Sequence, residues 1–217
     1  MENNPVRVTP VYPCQQLSVA KGEELTAESI PWERFVAVEL VDTVTVQSPL
    51  ERTQVRACWT TEHLHIRFTC WDSYIHSTYT MRDEPLYEQD VVEVFIDERG
   101  EGTRYMELEV SPYNVIFDAM IENDGNGRLL QVDTSWDMQD LVTNVQVDQL
   151  GRILYDIRIP SASFDQPLAA GRSYRVNFYR IDELRGVREY QAWSPTGAVQ
   201  FHLPAAFGTL VLESSAL

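Results

Sequence analysis

The amino-acid sequence predicts an all-β fold, a β-sandwich. Three observations predict it. Short runs alternate apolar and polar residues with a period of two. Turn signals separate these runs every 8–14 residues or so, the spacing of a sandwich. Helical periodicity is weak throughout. The 217 residues suit one domain, 1–217. A domain of that size buries about 70% of its unfolded surface and needs no covalent staples.

The elements follow in order. Residues 54–59 and 64–70 form a hairpin around TTEH. Leu64, Ile66, Phe68 and Cys70 share one of its faces, and His65, Arg67 and Thr69 share the other. Residues 90–97 and 104–110 form a second hairpin around ERGEGT, and residues 141–147 and 152–159 a third around DQLG. Residues 173–181 and 207–212 supply later strands. Short helical turns fit residues 23–35 and 161–164, the latter after Pro160. Residues 121–136 (IENDGNGRLLQVDTSW) read as the longest loop, and loops on a β scaffold often carry binding groups. Trp59 and Trp193 are assigned to the core, and Gly208 to a close approach or bend in the last strand.

Composition narrows the function. Hydrophobic residues are 44% and charged residues 23%, which excludes disorder for most of the chain. Lys plus Arg is 17 and Asp plus Glu is 33, a formal charge of −16. Such a polyanion repels nucleic acid and anionic lipid, so neither is an expected partner. Neutral ligands such as sugars, or cations, are compatible with it. Three cysteines, Cys14, Cys58 and Cys70, show no CxxC spacing. They read as buried thiols, with a Cys58–Cys70 bridge as the alternative. The uncharged run 190–212 contains Pro and Gly and is no membrane span. The opening MENNPVRVTPVYP lacks a basic-then-apolar leader. Read as it stands, the chain is expected in the cytoplasm, with export open if a leader has been removed.

The second hairpin carries the chemistry. In VVEVFID, Val92, Val94 and Ile96 lie on one face and Glu93, Phe95 and Asp97 on the other. In RYMELEV, Met106, Leu108 and Val110 form the apolar face, leaving Tyr105, Glu107 and Glu109 opposite. The hydrophobic set specifies the register, because a one-residue slip exchanges the faces. Glu93 must then face Glu107 or Glu109, and like charges across strands repel. Solvent, an arginine, a cation or a ligand's hydroxyls must offset them. Nearby lie Tyr87 in PLYEQD, Asp72 after the first hairpin, Asn177 and Tyr179 on one parity of YRVNFYRI, and Phe201 in QFHLP. Flat rings beside carboxylates and amides suit a polyhydroxylated ring: aromatic faces cover its CH groups and acceptors take its hydroxyl hydrogens.

Other constellations compete. Asp72, Glu93, Glu107 and Glu109 could supply the acid and base of a glycoside hydrolase, which needs two carboxyls about 5–9.5 Å apart. His63 and His65 point the same way and could hold zinc with His76, although no closed ligand set is visible. Structural calcium could use the oxygen-rich loops 97–101 and 122–124, for which solvated acidic loops are the simpler reading. No cofactor is otherwise expected.

The ordered motifs TQVRACWTTEHLHIRFTCWD, PLYEQDVVEVFID, RVNFYRI, WSPTG and FHLPAAFGTLVL resemble family 9 carbohydrate-binding modules, from residue 53 onward. The resemblance implies a β-sandwich of two antiparallel sheets, of the immunoglobulin-like or jelly-roll type, that binds sugar in a cleft without catalysis. It implies oligosaccharide or polysaccharide, such as xylan or cellulose, as partner, and a glycoside hydrolase as companion in polysaccharide breakdown. Characterised members hold a sugar unit between two tryptophans, with carboxylates and amides around its hydroxyls. At matching positions this chain has Tyr87 and Phe201 for the two rings, with Asp72 and Glu93 as the acids. Glu107 stands where the family has an arginine, and Ala198 where it has an amide.

Overall fold

In a computed structural model, residues 9–19 and 25–215 are described. The first two residues of the 23–35 segment and most of the opening segment lie outside them. Fourteen strands are present among the described residues: β1 Val11–Gln16, β2 Ala37–Glu39, β3 Val41–Asp42, β4 Thr53–Trp59, β5 His63–Cys70, β6 Val91–Asp97, β7 Arg104–Val110, β8 Ile116–Asn123, β9 Leu129–Asp133, β10 Val142–Val147, β11 Ile153–Pro160, β12 Ser173–Leu184, β13 Val187–Ala192 and β14 Gly208–Glu213. Helix among the described residues is confined to single 3₁₀ turns, including Ala27–Ser29, Trp32–Arg34 and Ser161–Ser163.

The all-β expectation is met, and the three expected hairpins are β4–β5, β6–β7 and β10–β11. Connectivity differs from two separate antiparallel sheets. One hydrogen-bonded path runs β10-β11-β5-β4-β1-β14-β12-β6-β7-β8-β9. The link is β1, which pairs parallel with β14 from Val11 to Gln15 and parallel with β4 at Gln15 and Gln16. The result is a curled mixed sheet. Pro13 hid β1 from the alternation pattern, because proline cannot donate to a ladder. It is tolerated because β1 has a ladder neighbour on one side only at that point. Tyr12 fastens the strand: its hydroxyl accepts from the Ala57 N–H at 2.6 Å and donates to the Val36 carbonyl at 2.6 Å.

Two other strands carry weak sequence signals. The expected loop 121–136 contains the end of β8 and all of β9, paired as Met120↔Asp133 to Asn123↔Leu129. Leu129, Leu130 and Val132 are all exposed, so β9 shows no in–out alternation to read. β12 continues into β13 through Arg185 and Gly186, both at positive φ (53° and 81°). This is the two-residue hairpin geometry that Asn-Gly normally announces. Arg-Gly meets the same demand with only the glycine to mark it.

The apolar alternation divides as read. Val92, Val94, Ile96, Met106, Leu108 and Val110 all join the main core with Trp59 and Trp193. The opposite face of the same strands is also covered. Phe95, Tyr105, Phe117, Tyr179, Phe201 and Phe207 form a second buried cluster there. All three cysteines are free and buried. Cys58 pairs with His65 and Cys70 with Thr53, at opposite ends of the β4–β5 hairpin, so the alternative bridge is not formed.

Gly208 is a close approach. A Cβ there would meet Trp193 ring carbons at 2.3 and 2.5 Å and the Pro10 carbonyl at 3.0 Å. Trp193 is buried and cannot swing clear. Gly208→Ala is expected to cost about 1–3 kcal/mol through overpacking. Denaturant unfolding should show a lower midpoint at unchanged slope; a midpoint equal to wild type would contradict this packing.

Candidate functional site

A cleft of about 730 Å³ opens over the second, smaller cluster. Its floor comes from the odd-numbered face of the central strands. Register places Glu93 between Tyr179 and Glu109, and Phe95 between Asn177 and Glu107. Glu93, Phe95, Glu107 and Ile181 line the floor, and Tyr87 enters from the 3₁₀ turn Leu86–Glu88 before β6. Leu129 and Val132 of β9, Arg188 and Tyr190 of β13, and the loop carrying Gln200, Phe201 and His202 complete the walls. The segment expected as a loop therefore does contribute, but as strand β9.

The two rings differ in availability. Tyr87 is 49% exposed and meets Phe117 edge-on at 6.4 Å. Phe201 is 9% exposed and stacks on Tyr179 at 4.0 Å with 12° between planes. The Tyr179 hydroxyl donates to the Phe201 carbonyl at 3.0 Å, which pins the loop to the floor. Phe201 is thus a rigid wall, with at most one ring face left for a ligand.

The carboxylates are buried rather than solvated. Glu93 is 1%, Glu107 5% and Glu109 0% exposed, and carboxylate oxygens of all three lie within 4.8 Å of one another. Burial raises Glu93 well above the usual range, with Glu107 adding to the effect. Burial likewise lifts Glu107 to about 8. Glu109 rises through burial, then through Glu93 and Glu107, while the Tyr87 backbone amide acts the other way. Among the described residues no arginine forms an ion pair with any of the three. His202 Nε2 is 3.8 Å from Glu107 Oε1, but burial lowers that imidazole to about 4. The Tyr105 hydroxyl accepts from Asn123 Nδ2 at 3.2 Å and lies 2.9 Å from His202 Nδ1.

Two expected site residues are not brought to the cleft. Asn177 occupies the right face of β12, but its side chain is spent on backbone. Its Nδ2 donates to the Ser194 carbonyl at 2.8 Å and its Oδ1 accepts from the Ser194 N–H at 2.9 Å. Asp72 lies on the other side of β12, where Arg180 projects. Arg180 Nη2 donates to Asp72 Oδ2 at 3.0 Å and also to Asp182, while Nη1 donates to Thr53 Oγ1 and the Trp71 carbonyl. Parity explains the separation, since Arg180 pairs with Val92 and Tyr179 with Glu93.

The metal candidates read from sequence fare similarly. Asp97 accepts from the N–H groups of Arg99, Gly100 and Gly102, so it closes its own turn. Asp124 does the same with Asn126 and Arg128. His76 lies beside Glu183 at 3.4 Å, while His63 and His65 adjoin each other in β5. None of the acid groupings close enough to hold an ion among the described residues includes a histidine.

A curled β-sheet domain with an open cleft of rings and acids defines a ligand-binding module. The chain belongs to the carbohydrate family 9 binding domain-like family, whose model matches residues 30–215. It is 24% identical over 216 residues to an extracellular protein of Arthroderma benhamiae, covering 89% of this chain and 92% of that one. Its fold is similar to a family 9 carbohydrate-binding module of Caldicellulosiruptor kristjanssonii in complex with cellotriose, with a TM-score of 0.67, 15% identity and 95% coverage of both chains. The glucose complex of a family 9 module from that organism gives a TM-score of 0.64 at 15% identity, covering 95% of this chain and 97% of that one.

The buried acids set the pH response. Burial raises Asp182 to about 7, in spite of Arg180, and Glu107 to about 8. Unfolded carboxyls titrate near 4. Stability from these groups is complete below that value and is lost as pH rises through 7 and 8. His65 and His202, held near 3 and 4, are neutral when folded, while an unfolded imidazole is half protonated at pH 6.5, so they oppose this trend weakly at the bottom of the range only. The ligand-free protein is expected to lose at least about 2 kcal/mol between pH 6.5 and 8.5, with Glu93 and Glu109 acting in the same direction. Urea unfolding across that range checks it; constant or rising stability would contradict the burial of these acids.

Proposed function

We propose that this chain is a non-catalytic carbohydrate-binding module. A sugar ring lies against Tyr87, with Phe201 as the second wall, and its hydroxyls donate to Glu93 and Glu107. The observation that supports this reading is the convergence of these four side chains on one open cleft. Aromatic faces and carboxylate acceptors are the two chemistries that a polyhydroxylated ring requires. Family membership and the cellotriose and glucose bound by similar folds add to it. Cellulose-like or xylan-like glycans are the first ligands to try. Asp72 and Asn177 have no part in it, since both are committed to internal bonds.

Glycoside hydrolysis is the weaker reading. A hydrolase sets its two carboxyls about 5–9.5 Å apart across the scissile bond. Here the acids crowd within 4.8 Å on a floor, and Glu109 is wholly buried. A module that holds glycan without cutting it serves polysaccharide breakdown by raising the local concentration of an associated glycoside hydrolase.

Intrinsic fluorescence titration with gluco- and xylo-oligosaccharides tests the proposal. Wild type should bind at least one series with no release of reducing sugar. Tyr87→Ala, at a half-exposed ring, should fold normally and bind about 2–12-fold more weakly, the worth of one stacked ring. No binding by wild type, or reducing sugar that Glu93→Gln abolishes, would overturn it.

A further inference from the structure

The cleft is more acidic than a neutral sugar requires. Four carboxyls line it, those of Asp83, Glu88, Glu93 and Glu107, against one guanidinium, that of Arg188 on β13. Glu109 lies opposite Glu93 and adds a fifth acid beneath the floor. The other basic side chain on the lining, His202, is neutral. Among these lining acids Glu93 has a buried oxygen, Oε1, with no hydrogen-bond partner, while Asp83 Oδ1 has only Arg82 Nε at 4.0 Å. Burial keeps Glu93 and Glu107 protonated until an opposite charge arrives to ionise them, and a hydroxyl brings none. An ammonium gives three N–H donors and a full positive charge. Carboxylate oxygens of Glu93 and Glu107 lie within 4.8 Å of each other, so one nitrogen can reach both.

We propose that the cleft selects a glycan carrying free amines, a hexosamine oligomer, with one ring ammonium held by Glu93 and Glu107. This rests on the carbohydrate reading of the same cleft and names its ligand class. The ring stacks against Tyr87 as a neutral sugar would, while the amine replaces one hydroxyl at the floor. The −16 charge of the chain draws such a polycation in. Arg188 disfavours an amine at its own side of the cleft and so orients the ring.

Three trisaccharides test it, because they share one β-1,4 backbone and differ at C2. They are cellotriose, the glucosamine trimer and the N-acetylglucosamine trimer. Calorimetric titration at pH 6 and low salt, with a chelator present, should show the glucosamine trimer binding about tenfold tighter than the other two. The advantage should shrink at about 0.5 M salt. Glu107→Gln should narrow it several-fold, and Asp83→Asn, on the half-buried rim, should narrow it even if the floor variant fails to fold. Equal or tighter binding of cellotriose would overturn the amine preference and leave carbohydrate binding intact. Binding of none of the three would overturn the amine preference, and the xylo-oligosaccharide titration would then decide the carbohydrate reading by itself. Cellotriose binding that appears only when calcium replaces the chelator would put a divalent cation on the floor and overturn the proposal.

Discussion

The antiparallel pairing of Glu93 with Glu109 is the constraint on which the site depends. Six apolar residues on the other face of β6 and β7 are buried in the main core, and they hold the register. With that register fixed, the carboxyls of residues 93, 107 and 109 have nowhere else to go. Phe95, Tyr105 and Tyr179 fill the gaps between them and exclude water. The acids are therefore a consequence of core packing and at the same time the floor of the cleft. Burial raises all three carboxyls, so protonation relieves their repulsion, and the two-sided burial of the strands offsets the cost of desolvating them.

Charge is segregated across β12 in the same way. Odd-numbered residues of this strand face the cleft, and Arg180 points the other way into a buried group of acids. That arginine gathers Asp72 and Asp182 on the far side and offers nothing to the cleft. A single alternation thus leaves one face with a buried cation and the other with none. The uncompensated face is the one that opens to solvent between Tyr87 and Phe201.

Much of this was legible from alternation alone. The β6–β7 faces, the pairing of Glu93 with an acid, and the three hairpins follow from period-two patterning with clear turns. The strands that escaped reading lack one of those signals. β1 carries a proline, β9 is exposed on both faces, and β13 follows an Arg-Gly turn. Parity placed Asn177 on the correct face, yet parity cannot say that its amide is consumed by the Ser194 backbone. Asp72 follows a strand end, where alternation no longer fixes direction, and the side of β12 it would take could be known only once Arg180 was placed. The roles of Gln200, Arg188 and His202 in the cleft come from long-range topology, which no local pattern records.

Backbone and side-chain NMR shift mapping during titration with a bound oligosaccharide tests the central claim most directly. The account predicts perturbations centred on Tyr87, Glu93, Glu107 and Phe201, with Asn177 and Asp72 unmoved. Perturbations centred instead on the separate groove beside Trp32, His65 and Asn144 would contradict it.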